Sequence, residues 1–162
     1  MIKGHTRIFC GDGKGKSMAA LGEAVLAASH GKNVMVIQFL KERKTENMEY
    51  FLRLEPEIKL FRFERSEKCY LNMSEEEREE EKLNIRNGLN FARKVLSTQG
   101  CDLLILDEVL GLLDTEIVSE DDILELMDQK NEEMDLILTG LYQAPELWSR
   151  ADEVTVMQKK KP

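Results

Sequence analysis

The segment Cys10-Gly11-Asp12-Gly13-Lys14-Gly15-Lys16-Ser17 constrains this chain more than any other. It follows a short β-type run, Thr6-Arg7-Ile8-Phe9, and opens a helical run, Met18-Ala19-Ala20-Leu21. Strand, glycine-rich turn, Gly-Lys-Ser and helix together form the context of a phosphate-binding P-loop. Glycines let backbone N–H groups converge on a polyphosphate, and the helix N-terminus adds a favourable dipole. In this reading Gly11, Asp12, Gly13, Lys14 and Gly15 cradle the phosphates. Lys16 brings a point charge to their oxygens, and Ser17 offers a hydroxyl to Mg²⁺. One position departs from the usual G-x-x-x-x-G-K-[ST] spacing: Cys10 stands where the first glycine belongs.

Around this loop the chain alternates strand-like and helix-like runs. Strands are expected at 6–10, 33–40, 58–63, 102–106, 135–139 and 153–157. Helices are expected at 16–30, 46–54, 74–96, 119–131 and 144–150. Val34-Met35-Val36-Ile37 and Leu103-Leu104-Ile105-Leu106 are continuous apolar runs. Strands buried on both faces read this way and belong to a parallel sheet covered by helices. The expectation is one α/β domain over 1–162, three-layered and mostly parallel, with helices on both faces. Ligands of such sheets bind beyond the carboxyl ends of the strands. Ser74 with Glu77, and more weakly Ser119 with Asp122, mark helix starts. Gly31 marks the end of the first helix, with His30 beside it as a dipole partner.

Leu106-Asp107-Glu108 supplies a second part of a nucleotide site. A P-loop needs a carboxylate at the tip of a nearby strand to hold Mg²⁺ directly or through water. Asp107 and Glu108 point to opposite faces if the strand continues, so one faces the metal and the other orients its surroundings. The pattern does not decide which. Thr139, before Gly140, either lines the phosphate site or belongs to a simple turn.

The remaining features exclude more than they suggest. A net charge of -8 argues against a nucleic-acid partner. No apolar run approaches the roughly 18 residues of a membrane span, and the N-terminus lacks the apolar core of a signal peptide. A cytoplasmic protein is expected. Three cysteines, Cys10, Cys69 and Cys101, form no metal-type cluster and read as reduced thiols, and two histidines are too few for a histidine metal site. The acidic run Glu75 to Glu81 reads as a solvated helix face, and Lys159-Lys160-Lys161-Pro162 as an exposed end.

Several of these motifs, in order, resemble the ATP:corrinoid adenosyltransferase family. That family's loop, Gly-Asn-Gly-Lys-Gly-Lys-Thr-Thr, is similar to Gly11 through Met18 and also lacks the usual first glycine. His30-Gly31-Lys32-Asn33-Val34 and Gln38-Phe39-Leu40-Lys41 resemble its Gly-Lys-x-Val and Gln-Phe-x-Lys segments. Leu106-Asp107-Glu108, Thr139-Gly140 and Ala151-Asp152-Glu153-Val154-Thr155 match its later motifs. The resemblance implies a RecA-like P-loop fold, usually a homodimer, and a possible reductase partner. It implies transfer of the 5′-deoxyadenosyl group of ATP to a Co(I) corrinoid, with Mg²⁺, releasing triphosphate. Lys16 and Glu108 then carry catalytic roles, and Ser17, Asp107 and Glu108 serve the metal. The family also brings aromatic side chains to the corrinoid's lower face. The matching region is Phe63 to Tyr70, where Tyr70 is the candidate; a surface or small-cluster packing role is equally open.

The chain departs from the family at three places. Thr139-Gly140-Leu141 replaces Thr-Gly-Arg, Met18 replaces the loop's second threonine, and the sequence ends at Pro162 before the family's Gly-Val…Gly-Ile-Glu pattern. ATP binding is thus better supported than corrinoid turnover. Another P-loop phosphotransferase or NTPase, and an ATP-binding module without turnover, stand as the alternatives.

Overall fold

The computed structural model describes residues 3–39, 53–63 and 70–162. The element order is β1 (Thr6–Cys10), α1 (Lys16–Ser29), β2 (Val34–Gln38), β3 (Ile58–Arg62), α2 (Glu75–Thr98), β4 (Leu103–Asp107), α3 (Glu120–Asp128), β5 (Asp135–Gly140), α4 (Pro145–Trp148) and β6 (Glu153–Val156). The expected helix at 46–54 falls mostly outside the described residues.

The six strands form one sheet in the order β3-β2-β4-β5-β1-β6, and every pairing is parallel. Its two faces build two separate cores. Val34 and Val36 of β2, Leu103 and Ile105 of β4, and Ile137 of β5 pack with Ala20, Leu21 and Ala24 of α1. The alternate residues Ile37, Leu104, Leu106, Leu136 and Leu138 pack with Ile85, Leu89 and Leu96 of α2 and with Ile123 and Leu126 of α3. This strict alternation explains the continuous apolar runs, since a strand with a core on each side has no polar face. Each fully buried Leu or Ile contributes on the order of 1.5–3 kcal/mol.

Local signals set the helix ends. Ser74 Oγ accepts from the Glu77 N–H at 3.1 Å. Ser119 and Asp122 form a full reciprocal capping box, with bonds of 3.2 and 2.9 Å. Helix α3 stops at Asp128 rather than near 131, because Asn131 folds its side chain onto the Glu133 N–H at 3.0 Å and begins a turn. Helix α4 is a single turn with Pro145 in its first positions. Gly31, at φ 80°, follows the C-cap His30 of α1 as expected.

Two features depart from the sequence reading. The apolar run after β4 forms a 3-10 helix, Val109–Asp114, that buries Val109, Leu110 and Leu112. The acidic run at the start of α2 is exposed or half-buried through Glu80, but Glu81 is buried. At the amino ends of the strands, carboxylates tie neighbours together. Asp135 accepts from the His5 N–H, Asp152 from the Thr6 N–H and Asp102 from the Asn33 N–H, each at 2.8 Å. The carboxyl ends of the strands carry the loop and the chemistry.

Candidate active site

The loop between β1 and α1 is strapped down by backbone bonds. The Gly11 N–H donates to the Leu141 carbonyl at 3.2 Å, and the Gly13 N–H to the Met157 carbonyl at 2.7 Å. The Met157 N–H returns a bond to the Cys10 carbonyl at 2.7 Å. Gly13 lies so close to this strap that a Cβ there would sit 2.7 Å from the Met157 carbonyl carbon. Gly15, at φ 102°, is the left-handed residue that turns the chain into α1. Asp12, an expected phosphate-site residue, turns its carboxylate outward to accept from the Lys159 N–H at 3.1 Å. Lys14 is exposed.

The start of α1 differs from the other helices. Its N-cap Gly15 supplies no side-chain cap, and its first turn holds no acidic residue. Helices α2, α3 and α4 all carry acidic residues there. An anion is therefore favoured at this end by the free N–H groups and the dipole, with no competing carboxylate in that turn. Lys16 adds a cation: its Nζ lies over the loop and donates to the Gly13 carbonyl at 2.7 Å. Cys10 closes β1 beneath the loop. Burial pushes its thiol pKa up, against the pull of the Lys16 charge.

A row of polar side chains crosses the sheet beside Ser17. Gln38 ends β2, Asp107 ends β4, and Thr139 lies at the end of β5. All three share phase with the residues that face α1 (34 and 36, 103 and 105, and 137), so they project to the face on which Ser17 begins α1. Asp107, only 1% exposed, is their centre. Its Oδ1 accepts from Ser17 Oγ at 2.7 Å and from Thr139 Oγ1 at 2.8 Å. Its Oδ2 accepts from Gln38 Nε2 at 3.2 Å. Thr139 Oγ1 in turn accepts from the Glu108 N–H at 2.9 Å.

The chain turns at Glu108, whose φ is 62°, so the strand's alternation stops at Asp107. Of the two adjacent carboxylates, Asp107 is the one joined to the loop serine, and Glu108 sits half-buried just beyond it. Among the described residues no three His, Cys, Asp or Glu side chains converge to hold a metal unaided. A hydroxyl beside a carboxylate is nonetheless a hard oxygen set that suits Mg²⁺, which keeps waters and takes phosphate oxygens for most of its shell.

Tyr70 opens a short 3-10 turn, Tyr70–Asn72, but its side chain and the segment 64–69 lie outside the described residues. Phe63, at the start of that region, packs against Phe39 and Phe91, with ring centroids 6.0 and 6.3 Å away.

Residues 2–162 match the family described as ATP:corrinoid adenosyltransferase BtuR/CobO/CobP. The chain belongs to this family. It is 27% identical over 156 residues to the corrinoid adenosyltransferase of Escherichia coli, covering 96% of this chain and 77% of that one. It is 27% identical over 161 residues to that of Pseudomonas aeruginosa, covering 96% and 75%. A 39-residue stretch, 24% of this chain and 20% of the other, is 54% identical to corrinoid adenosyltransferase CobA of Salmonella typhimurium. Among solved structures, a KaiC-like protein of Pyrococcus horikoshii aligns over 99% of this chain and 75% of its own, with TM-score 0.56 and 16% identity. A type III secretion ATPase aligns over 95% and 51%, with TM-score 0.54 and 19% identity. These likenesses concern the fold, and they place the sheet among RecA-like P-loop folds.

Family membership makes the chain an adenosyltransferase by class. The departures from the family pattern now have positions. Met18 is 69% exposed on the first turn of α1. Leu141 is also exposed, while its carbonyl anchors Gly11. Sequence reading left Thr139 undecided and gave Gln38 no role at the site. The signal for both was parity: each polar residue ends an apolar strand in phase with the residues that face α1.

Proposed function

We propose that this chain binds ATP with Mg²⁺ in the Gly11–Ser17 loop and transfers its 5′-deoxyadenosyl group to the Co(I) centre of a corrinoid. The observation that carries the reading is the loop joined to the acidic strand end, Ser17 to Asp107 at 2.7 Å, in a chain of this family. The cobalt(I) electron pair attacks the ribose C5′. The C5′–O bond breaks, cobalt becomes formally Co(III), and triphosphate leaves with the bonding electrons. The nucleophile is cobalt, so the protein needs no general base. Its work is to hold C5′ in line and to stabilise charge growing on the leaving group.

Each loop residue has a part in this. Lys16 leaves the Gly13 carbonyl for the phosphate oxygens, and backbone N–H groups of 11–17 surround them. Ser17, Asp107 and Glu108 are the residues that would hold Mg²⁺, which when bound would supply positive charge to the triphosphate. Thr139 fixes the Asp107 carboxylate and the turn at Glu108 together. Tyr70 contacts the corrinoid. The resemblance extends the reading to a cytoplasmic homodimer that receives reduced corrinoid from a reductase.

The test is product analysis by ³¹P NMR with ATP, Mg²⁺ and chemically reduced cobalamin or its precursors. Corrinoid-dependent triphosphate is expected. ADP and phosphate would assign the chain to another P-loop chemistry. ATP binding without any product would mark a nucleotide-binding module, the outcome that Leu141 in place of arginine makes worth measuring.

A further inference from the structure

We infer that Gln38 is a positioning residue for the metal-linked carboxylate Asp107, and that its own amide oxygen accepts a hydrogen bond from a water of the Mg²⁺ shell. The inference rests on the reading of the site as a Mg²⁺–ATP site.

Gln38 is 2% exposed, and its Nε2 donates to Asp107 Oδ2 at 3.2 Å. A carboxylate only accepts, so the amide nitrogen must be the atom that faces it. That orientation leaves Gln38 Oε1 buried and without a hydrogen-bond partner among the described residues. A buried carbonyl with no donor is unfavourable, and a methionine or leucine in phase with Val34 and Val36 would fill the same space without that defect. Gln38 lies directly across from Asp107 in the β2–β4 register, beside the carboxylate that meets Ser17. Asp107 Oδ1 already takes both hydroxyls, from Ser17 and Thr139, so Gln38 is the group that holds the other oxygen and fixes the carboxylate plane. The orphan oxygen belongs to the same amide group that bonds Asp107 Oδ2, so it sits beside the metal-linked carboxylate. Mg²⁺ retains several waters, and a cation-bound water is a strong donor, so its shell supplies the partner that Oε1 lacks. Groups that orient a metal's ligands in this way typically alter metal affinity by about 10–100-fold when removed.

The experiment is a Mg²⁺ titration of the ATP-bound protein, read by thermal shift, on the wild type and on Gln38→Met. The variant is expected to melt somewhat lower than the wild type without ligands, since Asp107 Oδ2 loses a hydrogen bond, a loss partly offset by removal of the orphan oxygen. It is expected to need about 10–100-fold more Mg²⁺ to reach the same stabilisation by ATP. A purely packing role predicts an altered melting temperature with an unchanged Mg²⁺ midpoint, and that result overturns the inference while leaving the ATP site standing. A wild type whose ATP binding ignores Mg²⁺ overturns the metal reading and the inference with it. If Gln38→Met does not fold, the assigned side-chain amide signals of Gln38 in ¹⁵N-labelled wild type decide. They should move when Mg²⁺ is added to the ATP complex, and signals that stay fixed would refute the role.

Discussion

Replacing Thr139 by valine keeps the shape of a fully buried side chain and removes one oxygen that serves two bonds. Thr139 Oγ1 donates to Asp107 at 2.8 Å and accepts from the Glu108 N–H at 2.9 Å. The first is a bond to a buried carboxylate, a class that contributes roughly 1.5–3 kcal/mol. The second holds the left-handed turn at Glu108 and adds about 1 kcal/mol as an ordinary backbone bond. Thr139→Val should therefore destabilise the fold by about 3 kcal/mol. For a domain of this size that lowers the melting temperature by roughly 6–12 °C. Thr139→Ser retains the hydroxyl and should lose far less, only the contacts of one methyl group. Urea unfolding of the two variants and the wild type checks this, with ATP-induced stabilisation measured in parallel. Because Ser17 and Thr139 share Asp107 Oδ1, adding Ser17→Ala to Thr139→Val should give a non-additive loss. If valine is tolerated within about 0.5 kcal/mol, or serine costs as much as valine, the shared-carboxylate row does not exist as described.

The loop and the thiols give three further expectations. Gly13→Ala places a Cβ against the Met157 backbone, so it should destabilise by about 1–3 kcal/mol and weaken ATP binding, measured by denaturation and calorimetry. Lys16→Ala removes a partly exposed charge, so it should leave melting nearly unchanged while abolishing the shift produced by ATP; a retained shift would place the phosphates elsewhere. Burial pushes the Cys101 thiol up to about 12 from 9.0, so the folded state holds this proton more tightly than the unfolded state. The sign follows: its contribution is complete below pH 9 and falls as pH rises towards 12. Cys101→Val should flatten that decline in a pH series of unfolding curves, and an unchanged slope would assign it to other groups.

Much of this fold is written in strand residues. Leu103 to Leu106 declared two buried faces, and their alternate residues do enter separate cores on opposite sides of the sheet. The glycine-rich loop and the acidic strand end were legible because their chemistry requires particular residue types at fixed places. The helix ends were less so: α3 stops at Asp128 because of a turn made by Asn131, a competition that periodicity does not register. The 3-10 helix at 109–114 was missed because its apolar run is too short to display a helical period. Glu81 looked like its acidic neighbours in sequence, and only the docking of α2 buries it. At the site, the pairing of Asp107 with Ser17 spans 90 residues and depends on where the strand ends. The roles of Gln38 and Thr139 emerge only when β2, β4 and β5 stand side by side.

In the proposed reaction this P-loop grips triphosphate as a leaving group while carbon is transferred. ATP labelled with ¹³C at the ribose C5′ tests it most directly, incubated with Mg²⁺, the protein and a Co(I) corrinoid. The labelled carbon is expected to move from a C–O to a Co–C environment in the NMR spectrum, and Lys16→Ala to prevent the change. A label that remains on oxygen, in ATP or in ADP, while nucleotide is consumed would contradict it.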